Sequence, residues 1–281
     1  MHEVYEYRYR GPVLAGWEVV DALRACPKGE ATLDNGLRRA RVECKEGLVC
    51  VDSLCFEKPA GVKSDAVYTV EGVALRMVEV RSGDVYMRLR VPAPRVHATL
   101  EINGIHMHRV SGVDPWSDTL AKVRAARVRR GDVVLDTCLG LGYTAIASLL
   151  RGARLVLSFE IDERVLWVAE RNPHSSFLEA REIILIHGDV VDGVERLPGE
   201  TFTVVIHDPP RFTAATGDLY SLHFYRELYR VLKPGGRLFH YTGKPRGGSI
   251  LQGVSRRLRE AGFIRVKWVE EAQGFTAIKP Y

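Results

Sequence analysis

Three features of the sequence predict an α/β fold, with a mostly parallel sheet covered by helices on both faces and a β-rich segment ahead of it. From Val133 onward, short apolar runs alternate with helix-period segments, the pattern of successive strand–helix units. The first run, Val133–Asp136, ends in an acid and enters a turn with glycines at 140 and 142 before a helix begins near Tyr143. Residues 1 to about 110 show instead short alternating runs separated by turn residues. The expected division is therefore 1–110, a β-rich accessory domain, and 111–281, a ligand-binding domain.

In chain order, Pro12–Leu23 reads as a short helix, and Pro27 and Gly29 argue against helix over Ala22–Glu30. Strands are expected over Arg39–Glu43, Gly47–Leu54, Ala66–Thr69, Val73–Val80, Asp84–Leu89 and Thr99–Ile102, with a hairpin turn at Arg81-Ser82-Gly83-Asp84. Gly112–Asp118 is the expected join. A helix over Thr119–Arg130 follows, with Asp118 as its cap and Leu120, Val123 and Ala126 on its apolar side. Seven strands then follow: Val133–Asp136, Leu155–Glu160, Ile183–His187, Thr203–Asp208, Arg237–Tyr241, Phe263–Val269 and Phe275–Ile278. Helices are expected at Thr144–Leu150, Arg164–Arg171, Leu219–Leu232 and Leu251–Ala261. Ligands of such sheets bind beyond the carboxyl ends of the strands.

Composition narrows the classes. The hydrophobic fraction of 46% and charged fraction of 27% describe a globular chain. No run approaches the ~20 apolar residues of a membrane span, and the acidic start lacks the form of a signal peptide, so a cytoplasmic location is expected. Cysteines 26, 44, 50, 55 and 138 are an odd count without metal-knuckle spacing, and are expected to be free thiols with no metal site. Two Gln and three Asn among 40 Lys+Arg and 35 Asp+Glu suit a thermophilic protein.

The chemistry concentrates in four places. The turn Asp136-Thr137-Cys138-Leu139-Gly140-Leu141-Gly142 allows close backbone approach to a ligand at a helix start. Glu160-Ile161-Asp162 ends the second strand in a carboxylate able to accept two ribose hydroxyls. His187-Gly188-Asp189-Val190 follows the third, and Asp208-Pro209-Pro210 the fourth. A nicotinamide dinucleotide would want three glycines where this chain has two, followed by the bulky Tyr143.

Motif by motif, these segments and Leu232-Lys233-Pro234-Gly235-Gly236 resemble the class I S-adenosylmethionine-dependent methyltransferases, over about 160 residues. The whole chain further resembles an archaeal family of predicted methyltransferases. The resemblance implies a Rossmann-like seven-stranded sheet with S-adenosyl-L-methionine as cofactor. It departs from the family where Thr137 or Cys138 occupies the first glycine position. It implies a cofactor site of Asp136, Cys138, Gly140, Gly142, Tyr143, Glu160, Ile161, Asp189 and Val190. Asp136 would hold the methionine amino group, Glu160 the ribose, and Asp189 the adenine amino group, with Val190 on the ring. The catalytic set would be Asp208, Pro209, Pro210, Arg211 and Phe212. Relatives that methylate amino groups or bases end this motif in an aromatic; here Arg211 stands there, with Phe212 one step later.

For the acceptor, charge is the cue. Residues 226–267 carry 11 basic side chains against Glu227 and Glu260, and Lys122–Arg130 adds five more with no acid. Lys244-Pro245-Arg246 is expected beside the cofactor rim. The reading is methylation of RNA, at a nitrogen, in a cleft between the two parts of the chain. A small amine as acceptor, aminopropyl transfer, and a non-catalytic RNA-binding scaffold are the competing readings. His106 and His108 share a strand face as a candidate substrate-lining pair, Tyr5, Tyr7, Arg8 and Tyr9 form a weak nucleic-acid cue, and Asp114-Pro115-Trp116 could shelter the cofactor.

Overall fold

A computed structural model describes residues 2–245 and 248–281. The chain forms two compact units, one of residues 2–7, 118–163 and 178–281, the other of residues 8–117 and 164–177.

The first unit is built on one mixed sheet. Its strands are β1 (Glu3–Tyr5), β2 (Val133–Asp136), β3 (Leu155–Glu160), β4 (Ile183–His187), β5 (Phe202–His207), β6 (Leu232–Tyr241), β7 (Ile264–Val269) and β8 (Gly274–Ile278). They lie in the order β1-β4-β3-β2-β5-β6-β8-β7. The central five are parallel, and β8 and β7 are antiparallel additions. Every residue of β2 is buried, as expected for a strand covered on both faces. Phe224, Tyr225, Leu228 and Val231 give helix α6 (Leu222–Val231) one apolar stripe, which packs into the same core as Leu135, Val205 and Leu238.

The expected seven strands are eight. The extra strand, β1, pairs antiparallel with β4, with Glu3 opposite His187 and Tyr5 opposite Leu185. Three residues with two exposed side chains carry too little periodicity to be recognised. Tyr7 is buried and the Tyr9 hydroxyl donates to Asp34 Oδ1 at 2.6 Å, so these aromatics serve the fold and the nucleic-acid cue drops away. The expected Leu219–Leu232 helix divides into a 3-10 turn over Ala214–Tyr220 and α6, whose cap Ser221 accepts from the Phe224 N–H.

The helix expected over Thr119–Arg130 is Pro115–Ala125, α2. Asp114 caps it, accepting from the N–H groups of Trp116 and Ser117 at 3.0 Å, with Pro115 at the first helical position. Asp118 therefore lies inside the helix, where it is fully buried.

The second unit is β-rich as expected, with three antiparallel sheets and the helix α1 (Gly16–Ala25). Its core gathers Leu14, Val19, Leu33, Val42, Val51 and Phe56. The turn at Ser82-Gly83-Asp84-Val85 is a two-residue hairpin with Gly83 at positive φ. The expectation of free thiols fails for four cysteines. Cys26 is bonded to Cys44 and Cys50 to Cys55, the latter directly opposite each other on paired strands. Strand register brings together what sequence spacing could not pair. Cys138 remains a free thiol. His106 pairs with Glu101 and Arg90, and His108 with Thr99. Among the described residues no cluster could hold a metal ion, and no helix is long and apolar enough to cross a membrane.

Candidate active site

Parallel β2, β3, β4 and β5 deliver Asp136, Glu160, Asp189 and Asp208 at or just past their carboxyl ends. Behind Asp136 the chain turns through Gly140 and Gly142, both in the left-handed region, and enters helix α3 (Tyr143–Leu150). A Cβ on Gly142 would meet the Leu178 side chain at 2.6 Å, so this glycine is required by space as well as by φ. The turn is tied down by its neighbours: Thr137 N–H donates to Ile206 O and Leu139 N–H to Phe159 O.

Asp136 is fully buried and accepts from Thr144 Oγ1 at 3.1 Å and Ser158 Oγ at 2.8 Å. Burial, with Asp208 and Glu160 nearby, pushes its pKa up to about 7, against the pull of those two hydroxyls. The groups acting on it are two hydroxyls and two further acids, a set that favours an added cation. Glu160 accepts the Gly140 N–H on Oε2 and the Asp162 N–H on Oε1, both at 3.0 Å, so it clamps the glycine turn to its own strand end. An ionised carboxylate has acceptor sites beyond these two. Asp189 caps helix α5 (Val190–Glu195), its Oδ1 accepting from Val191 N–H at 2.8 Å. From the sheet edge, His2 Nε2 lies 2.6 Å from the Asp189 carbonyl.

The remaining site residues are placed as follows. Ile161 is exposed at 63%, whereas Val190 is packed in the core and Tyr143 is fully buried. Cys138 is half-buried, and burial drives its thiol pKa well upward, which disfavours the thiolate a nucleophile needs. Pro209 is buried; Pro210 is exposed and its carbonyl accepts from the Tyr220 hydroxyl at 2.8 Å. Arg211 and Phe212 are exposed, and Phe212 meets the Tyr220 ring edge-on at 5.3 Å.

One partner of Asp208 escaped the sequence reading. Lys122 of α2 is fully buried, with Nζ 2.7 Å from Asp208 Oδ2 and 3.3 Å from Asp118 Oδ2. Its ammonium also lies 4.0 Å from the centre of the Tyr241 ring. Burial alone would lower the lysine pKa, but Asp208, Asp118 and Tyr241 together raise it above its ordinary value. The i,i+4 pair Asp118/Lys122, in line with apolar Ala126, was the available signal. Beneath the turn lie two buried histidines. His207 Nε2 donates to Leu219 O and Nδ1 accepts from Thr137 Oγ1; His240 Nδ1 donates to Tyr241 O and Nε2 accepts from the Tyr225 hydroxyl. Burial depresses both, His207 to about 3, so they are neutral supports with fixed tautomers.

The expected basic field is largely dispersed. Lys122 is inside the protein. Arg230 binds Glu227 and the carbonyls of Leu197 and Val194, Arg237 binds Asp132, and Lys244 pairs with Glu270. Lys233 and Arg265 stand at the starts of β6 and β7, the ends of the sheet opposite the acid cluster. Arg246 lies outside the described residues. Asp114-Pro115-Trp116 starts α2, with Trp116 stacked on His97 at 4.8 Å within the second unit.

No family model matches the chain. The structure resembles spermidine synthase from Thermotoga maritima, with a TM-score of 0.55 and 16% identity over 72% of this chain and 71% of that one. The fold is that of the class I S-adenosylmethionine-dependent methyltransferases. By sequence the chain is 53% identical over 191 residues to an uncharacterized protein of Methanocaldococcus jannaschii, covering 66% of each. It is 30% identical over 116 residues to a putative ribosomal RNA large subunit methyltransferase of the same organism, covering 40% of this chain and 30% of that one. The chain thus spans 66% of the first relative's length and under a third of the second's.

The donor set fits S-adenosylmethionine. A buried carboxyl whose neighbours are hydroxyls and other acids suits its ammonium, and Glu160 keeps acceptor sites that a ribose diol would use.

Proposed function

We propose that the chain is an S-adenosylmethionine-dependent methyltransferase whose acceptor is RNA, modified at a nitrogen. The observation that carries the reading is the row of Asp136, Glu160, Asp189 and Asp208 along the carboxyl edge of one parallel sheet, with Asp208 held by the buried Lys122. The RNA acceptor draws support from the relative named as a ribosomal RNA methyltransferase and from the exposed Arg211–Phe212 pair beside Asp208. In this reading residues 111–281 hold the donor and residues 1–110 serve the acceptor.

When bound, the cofactor supplies a methyl group on a cationic sulfur. Asp136 would pair with its ammonium and Glu160 with its ribose. Asp208, anchored through Oδ2 by Lys122, turns Oδ1 and the neighbouring carbonyls to the acceptor's N–H groups. These acceptors aim the nitrogen lone pair at the methyl carbon. The acceptor nitrogen would take the methyl group that the cofactor supplies and would give up its proton to solvent. Phe212 offers a face for the acceptor ring and Arg211 a guanidinium for its phosphate.

The site predicts a pH dependence. Asp136 titrates near 7 in the free protein, and only its ionised form pairs with an ammonium. Affinity for the donor should therefore rise with pH up to about 7, falling at most tenfold per unit below it, and decline again above ~8 as the donor amine deprotonates. Binding below neutrality should release a proton, which calorimetry in two buffers of different ionisation enthalpy will read. Asp136→Asn should flatten the acid limb; an affinity independent of pH in the wild type would remove Asp136 from the site.

Methyl-labelled donor incubated with unmodified cellular RNA, a protein extract and a polyamine pool tests the function directly. Label in RNA is the expected result. Label confined to protein or polyamine, or no transfer to any pool, would overturn the acceptor reading.

A further inference from the structure

The second unit carries an open groove of about 450 Å³, within the range of small-ligand sites. It is lined by Trp17, Val20, Asp21 and Arg24 of α1, by Ser64, and by Pro94 and Arg95. The helix residues recur at spacings of three, four and seven, so they form one face, while Glu18, Val19 and Ala22 face the core. On this face Trp17 and Val20 are half-buried beside the exposed Arg24.

The walls are held in place by an unusual local structure. Asp34, Asn35 and Gly36 are three successive residues at positive φ, 59°, 58° and 87°. Such a run is unfavourable for side chains other than glycine and persists only where its surroundings enforce it. Buried Glu18 enforces it: Oε2 accepts from the N–H groups of Ala15 and Asn35, and Oε1 from Gly36 N–H and Thr32 Oγ1. The outcome is that buried Asn35 aims one oxygen at both walls. Its Oδ1 accepts from Trp17 Nε1 at 2.9 Å and from the Arg95 N–H at 3.2 Å, while Nδ2 donates to Val96 O. Arg95 is itself at φ 65°. A Cβ on Gly36 would come within 2.7 Å of the Arg95 Cγ, so this glycine leaves room for the arginine stem. Strained backbone here orients the Trp17 indole and fixes the backbone from which Arg95 extends into the same groove.

We propose that this groove binds one nucleotide of a single-stranded RNA segment, with the base against Trp17 and the phosphate between Arg24 and Arg95. An aromatic face beside guanidinium groups is the combination that holds unpaired bases and their backbone. Asp21 pairs with Arg24 at 3.6 Å and holds it on this face. The inference rests on the RNA reading and assigns its recognition to the β-rich unit, apart from the acid cluster that takes the donor.

The test uses the full chain and a fluorescein-labelled oligoribonucleotide of about 8 residues, followed by anisotropy across a salt series. Arg24→Ala with Arg95→Ala, both on exposed side chains, should weaken binding about tenfold and lower the salt slope by about 0.7, the contribution of one single-strand phosphate. Trp17→Ala should weaken it about tenfold as well, and Trp17→Phe should retain most of the affinity, since a ring face remains. Donor affinity should not change in any of these variants. Unchanged oligonucleotide affinity in the double arginine variant would overturn the proposal. So would displacement by polyglutamate that depends equally on Trp17, which would mark an acidic-peptide site. RNA methylation with an unaltered KM in that variant would discard the groove and leave the RNA reading standing. Groove-dependent oligonucleotide binding without methylation of any RNA would support the groove and discard that reading.

Discussion

Lys122→Met is expected to cost about 3–5 kcal/mol of stability, because it removes the ammonium that two carboxylates share inside the protein. Asp118 has no exposed side-chain surface and Asp208 only 18%, so neither can recover its hydration in place. The loss of the ammonium also removes a cation from the face of Tyr241. For a unit of this size the melting temperature should fall by roughly 6–20 °C. The sign of the pH effect is fixed by the acids left behind. Without their countercharge they are easier to protonate, so the deficit should shrink as pH falls through the carboxylate range. Asp118→Asn added to Lys122→Met should restore much of the stability, since one buried charge then remains and it is the more exposed one. Thermal unfolding of the three proteins at neutral and acid pH measures this. A Lys122→Met protein as stable as wild type would show that the lysine is not the countercharge of the turn.

The sheet was largely legible because its signals are local. Val133–Asp136, Leu155–Glu160 and Ile183–His187 are strands at the expected bounds, since short apolar runs between turn residues admit few alternatives. The acids at their ends were legible for the same reason: a strand terminus fixes which residue reaches the rim. What sequence could not supply is the identity of partners distant in the chain. Lys122 counted as surface charge because its neighbours Arg124, Arg127, Arg129 and Arg130 are exposed; its own burial depends on Asp208, 86 residues away. The Cys50–Cys55 disulfide depends on strand register, and β1 on a sheet edge about 180 residues downstream. The left-handed run at Asp34-Asn35-Gly36 is a turn signal in sequence, but its link from Trp17 to Arg95 exists only after folding.

Asp208→Asn should lower single-turnover methyl transfer about 100-fold while leaving donor affinity within roughly tenfold, the loss expected for one well-placed acceptor of developing charge. The amide keeps the shape of the turn, and Asp118 still holds Lys122, so the variant should fold. A second consequence separates an active-site role from a structural one. The charge of Asp208 helps push the Asp136 pKa up to about 7. Removing that charge makes Asp136 easier to ionise, so its pKa must fall and the acid limb of donor binding must move to lower pH. The same substitution should therefore depress catalysis and strengthen donor binding below neutrality. Single-turnover kinetics and donor titrations at a series of pH values measure the two effects on one protein. Normal transfer would remove Asp208 from the reaction. Slowed transfer with an unmoved acid limb would mean that Asp208 and Asp136 do not share one site.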